Sequence, residues 1–315
     1  MEQHIFPADE LIRSAAQGDP AAAAELDHAG FLVQPEETAE AYGKRIAEVK
    51  RRGTEFFNRF DKKGSLEIFP GLTVNLKDQI PEQIMNEAAE RTEQAYGFSI
   101  RWVPGFFPEK EFGPLWGGCA VWQEEEPVPV IVIRRNFLKA QKWFIYDRQE
   151  LISHELSHAA RMPLMDGALE EHFAYALSKK RLRRALGNCF QKDTDAIFFV
   201  LPALLLALVQ TLITVFQWTW LPIFPFWILA LAWPVFLLIR NAVQTGKYRA
   251  ARNHLKMAGF PYPERILYRS IYSEICTFAK TRPDQLKSLL DQMAEKEFRW
   301  KVILQIITRV PSADQ

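Results

Sequence analysis

The sequence contains little cysteine. Its 3 cysteines, Cys119, Cys189 and Cys276, lie far apart among 315 residues and form no CxxC pair. An odd number of widely separated cysteines argues against a disulfide framework, and the lack of CxxC pairs argues against a zinc site built from thiolates. We therefore expect the protein in a reducing compartment.

The chain also lacks an excess of charge of either sign. It has 39 Lys and Arg residues against 38 Asp and Glu residues, so its overall charge indicates neither a nucleic-acid partner nor an acidic one. The first ten residues, MEQHIFPADE, contain no basic segment followed by an apolar segment, and we expect no cleaved secretory signal. A membrane protein with this sequence would need an internal membrane segment.

One long stretch lacks charged side chains altogether. Residues 196–239, 44 residues in all, contain no Asp, Glu, Lys, Arg or His. That is about twice the ~20 residues that cross a bilayer as a helix, and the central WTWLPIFP combines interfacial tryptophans with helix-breaking prolines. We predict a transmembrane hairpin at residues 193–242, with spans at about 197–217 and 223–239. The alternative, two buried core helices of a soluble protein, is disfavoured because such uncharged stretches are rare in globular domains.

Basic residues flank this stretch on both sides. Six Lys and Arg residues lie within 179–192 and five within 240–256, whereas the connecting turn carries no charge. Because Lys and Arg accumulate on the cytoplasmic side, we expect an integral membrane protein with two spans and both termini cytoplasmic, at the inner or plasma membrane in a bacterium. The KKRLRR run resembles a nucleic-acid patch, but its position just before a span favours a topogenic role and no nucleic-acid partner.

The remaining sequence predicts an α+β, mainly helical fold. Residues 1–98 form an N-terminal helical region, with one helix from Glu36 to about Phe60 and another that starts at Pro81. Residues 99–192 form the core, and residues 243–315 form C-terminal cytoplasmic helices, two in number and amphipathic.

A small β-sheet is predicted at the start of the core. The runs FSIRWV (98–103), GGCAVWQ (117–123) and VPVIVIRR (128–135) have strand-like composition and are separated by Gly and Pro. We place a turn between the last two runs at Glu124 to Glu126 with Pro127. The sheet directly precedes the histidine-rich segment.

The segment HELSH (154–158) contains the residues that we predict to bind a metal ion and to transfer a proton. Asp147 and Glu150 have the spacing of a capping box, which predicts a helix that starts at Asp147, runs to about Arg161 and is stopped by Pro163.

Two histidines of this helix are spaced to bind one metal ion. Residues four apart share a helix face, so His154 and His158 can bind the same ion, while Glu155 can take a proton from the water that the metal activates. The histidines would otherwise be satisfied polar residues on a solvated helix face.

A catalytic zinc site normally has three protein ligands. After a turn at Asp166 and Gly167, ALEEHFAYALSKKRLRR predicts a second helix that packs against the first. Its first turn carries Glu170 and Glu171, and the residue pattern alone leaves both, as well as Asp166, open as the third ligand.

HELSHAA followed by GALEEHFAY resembles the gluzincin group of zinc metallopeptidases, which have a thermolysin-like architecture. The resemblance covers about residues 115–178 and implies that zinc is bound by the two histidines and a glutamate of the following helix. In that group a small residue commonly lies three positions after the ligand glutamate, which favours Glu171 over Glu170 because Ala174 follows it. The group commonly has Asp or Asn at the next position, where this chain has Tyr175. The metzincin continuation is absent, because Arg161 and Leu164 replace its Gly and His.

The resemblance implies a zinc peptidase. Because the predicted hairpin begins only about 20 residues after Glu171, we expect a membrane-anchored enzyme with its active site near the cytoplasmic membrane surface. The Zn²⁺ ligands would be His154, His158 and Glu171, with Glu155 as the general base. Its partners would be the lipid bilayer and a peptide or protein substrate close to the membrane, which an upstream edge strand could bind by β-augmentation. Tyr175 and His172 are candidates for contact with a ligating histidine or with the oxyanion.

Two other functions are compatible with parts of the sequence. A membrane-anchored scaffold or binding protein with a structural or degenerate metal site is the alternative from another functional class. An intramembrane protease is disfavoured, because HELSH lies outside both apolar stretches.

Overall fold

The computed structural model describes residues 6–69, 71–109, 116–123, 126–218 and 220–308. The elements in these ranges follow one another along the chain as α1 Asp9–Ala16, α2 Pro20–His28, α3 Ala39–Lys63, β1 Ser65–Phe69, β2 Leu72–Gln79, α4 Glu82–Tyr96, β3 Gly105–Pro108, β4 Gly118–Gln123, β5 Glu126–Ile133, β6 Lys142–Trp143, β7 Tyr146–Asp147, α5 Arg148–Arg161, α6 Glu170–Ala176, α7 Arg181–Leu186, α8 Asp193–Phe216, α9 Phe224–Met257, α10 Pro263–Tyr268, α11 Tyr272–Lys280, α12 Pro283–Lys296 and α13 Phe298–Thr308. The mainly helical fold with a small sheet is as predicted.

The sheet presents an edge strand to the histidine helix. Its five strands have the order β1-β2-β3-β5-β4, with β3 and β5 parallel and the other pairs antiparallel. β4 pairs with β5 so that Ala120 lies opposite Ile131. The predictions for residues 117–123 and 128–135 are confirmed as β4 and β5, although β5 ends at Ile133.

The strand prediction for FSIRWV is wrong. Residues 98–104 have no regular structure, and Phe98, Ile100 and Trp102 are all buried in the helical core. The segment bonds to the end of α2 instead of to a strand, since its Ser99 N–H donates to the carbonyl of His28 at 2.7 Å. The hydrophobic run therefore reflects burial among helices, not a strand.

The N-terminal region is not purely helical. β1 and β2 both lie within residues 1–98 and supply two of the five strands. The turn predicted at Glu124 to Glu126 falls partly outside the described residues, because positions 124 and 125 are not among them, and Glu126 begins β5. The predicted helices at 36–60 and after Pro81 are confirmed as α3 and α4.

Two predicted helical segments are interrupted. The helix predicted from ALEEHFAYALSKKRLRR is divided into α6 and α7 at Ser178, whose buried hydroxyl accepts a bond from the Lys180 N–H at 3.1 Å. In place of the two predicted C-terminal helices, the described part of the C-terminal region forms four, α10 to α13. The second of the two predicted helices is broken between α12 and α13. Directly after this break, the side chains of Arg299 and Trp300 donate hydrogen bonds to the Glu274 carboxylate of α11.

α8 and α9 are long and apolar enough to cross a membrane. Only 17% and 11% of their most apolar segments is buried, so the alternative of buried core helices is not supported. The side chains of Asp195 and Arg240 pair at 2.6 Å and join the two helices where the uncharged stretch begins and ends. α9 continues to Met257, well past the predicted boundary at residue 242.

A buried ion pair supports the core behind the histidine helix. The Arg269 Nε donates to Asp27 Oδ1 at 2.8 Å, and both side chains are 2% exposed. Arg269 also donates to the Tyr96 carbonyl at 2.7 Å, and the Tyr96 hydroxyl donates to the Phe173 carbonyl in α6 at 2.7 Å. The pair therefore links the N-terminal helices to the glutamate-bearing helix.

We predict that Arg269→Met destabilises the protein by about 3–5 kcal/mol, because it leaves the Asp27 carboxylate buried without its partner. The measurement is the free energy of unfolding from urea titration in mild detergent. The control is the double variant Asp27→Leu/Arg269→Met, which removes both charges and should recover most of the loss. Equal losses in the single and double variants would contradict a role for the ion pair.

Candidate metal centre

The histidine helix begins as predicted. The Asp147 side chain accepts a bond from the Glu150 N–H at 3.1 Å, and α5 follows from Arg148 to Arg161. The reciprocal half of the capping box is replaced, since the Glu150 carboxylate accepts a bond from Arg183 Nη1 at 2.7 Å. This contact attaches α7 to the first turn of α5.

His154, His158 and Glu171 converge on one point. The two Nε2 atoms are 3.1 Å apart, and the Glu171 oxygens lie 3.6 Å from His154 Nε2 and 3.4 Å from His158 Nε2. Ligand atoms that share a tetrahedral zinc ion at about 2.0–2.1 Å are roughly 3.3 Å apart. Within the described residues, these are the His, Cys, Asp and Glu side chains whose ligand atoms lie close enough together to hold a metal ion. Two imidazoles and a carboxylate are donors that suit zinc.

Arg161 determines which glutamate faces the histidines. Its guanidinium, fully buried at the end of α5, donates from Nε to Glu170 Oε1 at 2.8 Å and also bonds to the Tyr268 carbonyl. The other Glu170 oxygen lies 3.7 Å from His158 Nδ1, on the opposite side of the ring from the metal point. Glu170 is therefore placed to orient His158, as carboxylates commonly do for ligating histidines. Glu171, the next residue, is left to face both rings.

Of the other predicted site residues, Tyr175 contacts the histidine pair, whereas His172 and Asp166 have partners outside it. The Tyr175 ring packs edge-to-face on the ring of His154, a candidate ligand, with the ring centres 4.6 Å apart. The ring of His172 packs against the ring of Tyr248 in α9, with the ring centres 4.4 Å apart. Asp166 lies just before the turn at Gly167, and its carboxylate accepts a bond from the Tyr272 N–H at 2.6 Å.

Because Gly187 has no side chain, the Tyr175 ring can pack closely against the Gly187 backbone. A Cβ atom at Gly187 would lie 2.2 Å from Tyr175 Cδ2, inside van der Waals contact. A side chain at this position would displace the Tyr175 ring from its present place.

Asn188 connects the glutamate helix to the apolar hairpin. Its Oδ1 accepts a bond from the His172 N–H in the first turn of α6 at 3.2 Å, where Leu169 at the N-cap has no side-chain acceptor. Its Nδ2 donates to Gln244 Oε1 of α9 at 3.0 Å. Asn188 thus caps the N-terminus of α6, although it lies 16 residues after His172 in the sequence. Its bond to Gln244 also fixes α6 relative to α9.

Burial and neighbouring charges act differently on the two histidines. Burial, with smaller contributions from His158 and Arg183, lowers the pKa of His154 to about 3. Burial also disfavours the charged form of His158, but Glu170 and Glu171 outweigh it and raise its pKa to about 10. His158 must lose this proton before its ring can bind a metal.

Glu155 lies between the histidine pair and the edge strand. Burial raises the pKa of its carboxyl group, and its Oε2 accepts a bond from the Ala120 N–H of β4 at 2.9 Å. A cleft of about 220 Å³ opens here, lined among others by Gly118, His154, Glu155, Tyr146 and Arg183. The outer edge of β4 therefore faces the cleft beside the candidate base.

Comparison with known proteins finds no match for this chain among protein-family models, curated proteins or solved structures.

Three contacts of this site were not predicted from the sequence. The Arg161 pair with Glu170, the Asn188 cap and the Ala120 bond to Glu155 join residues 9, 16 and 35 positions apart. The sequence carries one local signal for the Arg161 pair: Arg161 is a basic residue at the end of α5, nine residues before Glu170. The other two contacts leave no local pattern.

We predict that Glu171→Ala lowers zinc affinity by more than ~100-fold, because loss of a ligand should cost more than the 10–100-fold typical of groups around the ligands. Zinc affinity is measured by competition with a chromogenic chelator. The matched variant Glu170→Gln keeps an acceptor for Arg161 and should still bind one zinc per chain. Unchanged affinity in Glu171→Ala, with loss of zinc in Glu170→Gln, would assign the ligand to Glu170.

Proposed function

We propose that the protein is a membrane-anchored zinc peptidase that hydrolyses peptide bonds at the cytoplasmic face of the bilayer. The observation that carries the proposal is the convergence of His154, His158 and Glu171, with Glu155 beside them in an open cleft. Three protein ligands and an accessible fourth direction are typical of catalytic zinc sites, whereas structural sites are closed by four.

The residues of the chain would divide the chemistry as follows. When bound, zinc would polarise the scissile carbonyl group and acidify a water molecule. Glu155 takes the proton of the attacking water on Oε1 and returns it to the leaving amine. The raised pKa of the buried Glu155 carboxyl makes it a stronger base than an exposed glutamate. Its other oxygen, held by the Ala120 N–H, keeps the side chain directed at the cleft.

The edge strand supports a peptide as the substrate. Among the described residues β4 pairs with β5 on one side, and on its other side Gly118 lines the cleft while the Ala120 N–H bonds to Glu155. An extended peptide that pairs with this edge would lie across Glu155 and the histidine pair. Backbone pairing would position the scissile bond with little dependence on side chains.

The apolar hairpin supports attachment to a membrane. α8 and α9 are joined by a turn without charged residues, and basic residues flank both outer ends. We assign both termini, and with them the cleft, to the cytoplasmic side.

The test is Glu155→Gln in the full chain, purified in mild detergent. Loss of the general base should reduce cleavage of a fluorogenic peptide library by about 10²–10⁴-fold. Zinc, measured by elemental analysis, should stay at one per chain, because Glu155 is not a ligand. Glu93→Gln, the same change on the exposed side of α4, is the matched control and should cleave normally.

Two results would contradict the proposal. Undiminished cleavage by Glu155→Gln would remove the mechanism. A full chain that binds zinc but neither cleaves peptides nor binds a hydroxamate would favour the scaffold or binding protein with a structural or degenerate metal site.

A further inference from the structure

A group of large apolar side chains is exposed beside the cleft. Phe144 and Leu182 are each 71% exposed, and their neighbours in this group are also exposed. We call this group the apolar rim, and its members are Phe144, Ile145, Leu182, Leu186 and Phe190. Phe144 occupies the first turn position of the β6–β7 hairpin with φ +50°, a left-handed conformation that normally favours glycine. The fold thus presents an aromatic ring to solvent at a strained position.

The rim lies at the level where the apolar part of the hairpin ends. Arg240 and Asn241 directly follow the uncharged stretch in α9. Arg240 Nη2 donates to the Cys189 carbonyl at 2.8 Å, and Asn241 Nδ2 donates to the Ala185 carbonyl at 2.7 Å. The end of α7 is therefore fixed at the boundary between the apolar and polar parts of α9.

The rim is continuous with the hairpin. Lys180 Nζ and Arg183 Nη2 both donate to the Ile145 carbonyl, at 2.8 and 2.9 Å, so α7 holds the β6–β7 turn. At the other end of the rim, the Phe190 ring packs against Phe199 in the first turns of α8 at 5.5 Å.

The segment that carries Leu182, Leu186 and Phe190 is basic. Residues 172–192 contain no Asp or Glu. The exposed basic side chains of this segment are Lys179, Lys180, Arg181, Arg184 and Lys192. Exposed aromatic and leucine side chains mixed with basic residues, at the end of an apolar span, match the surface of a bilayer with anionic headgroups.

We propose that the apolar rim inserts into the headgroup region of an anionic bilayer and makes the membrane surface one border of the cleft. Two residues of the same elements, Tyr146 and Arg183, line the cleft. A polypeptide would then enter along the bilayer, so the substrate class is a membrane-anchored chain cut just outside its anchor. The substrate class rests on the proposed peptidase function, whereas the lipid contact does not require it.

The test places a fluorescent, environment-sensitive amino acid at single positions of the full chain by stop-codon suppression. The protein is inserted into nanodiscs of phosphatidylcholine with phosphatidylglycerol, and quenching by brominated lipid is measured. The tested positions replace Phe144 and Leu182. Leu208, exposed in the middle of α8, is the control for membrane insertion. Met257 is the distant control, since it is exposed at the end of α9, about 25 Å along the helix from Arg240.

The rim positions should be quenched several-fold more than position 257. The variant Lys179→Gln/Arg181→Gln/Arg184→Gln should reduce quenching at Phe144, as should pure phosphatidylcholine, because each basic residue contributes roughly fivefold to binding an anionic surface. Quenching at 208 without quenching at 144 and 182 would overturn the inference and leave the rim for a protein partner. Absence of quenching at 208 would instead overturn the membrane insertion of the hairpin and this inference with it.

Discussion

The buried guanidinium of Arg161 is the contact on which the candidate site depends. It lies at the end of α5, binds Glu170 in the first turn of α6 and bonds to the Tyr268 carbonyl from behind. Separating such a buried pair typically costs about 3–5 kcal/mol, so α6 has one strongly preferred position against α5. Because Glu170 is held by Arg161, Glu171 is turned toward the two imidazoles. The spacing of the three candidate ligands is thus set by a residue that is not one of them.

The same logic extends outward to the apolar hairpin. Asn188 bonds to the first turn of α6 and to Gln244 of α9. Arg183 joins α7 to Glu150 in the first turn of α5 and to the turn of the β6–β7 hairpin. The helices that carry the ligands therefore have direct polar contacts with the segment that we assign to the membrane. In the proposed peptidase, these contacts would hold the cleft at a fixed height above the bilayer and so restrict the substrates that it can reach.

Local patterns predicted much of this arrangement. A four-residue spacing and a capping aspartate depend on one helix alone, so His154, Glu155 and His158 were placed on a helix that the structure contains. The long uncharged stretch likewise predicted α8 and α9. The choice of Glu171 came from a resemblance, and its proximity to the histidines agrees with that choice, while zinc binding itself stays a prediction.

Features that depend on distant contacts could not be read from local patterns. FSIRWV has the composition of a strand, but its side chains fill the helical core and its Ser99 bonds to the end of α2. The break between α6 and α7 depends on the buried Ser178 hydroxyl, and the length of α9 depends on packing against the C-terminal helices. In each case the tertiary environment outweighs the local propensity.

The central claim is that two imidazoles and the Glu171 carboxylate bind one zinc ion. Zinc K-edge X-ray absorption on the purified full chain tests it most directly. We expect nitrogen and oxygen neighbours at about 2.0–2.2 Å, with outer-shell scattering from two imidazole rings. Sulfur at about 2.3 Å, or a spectrum without imidazole scattering, would contradict the account.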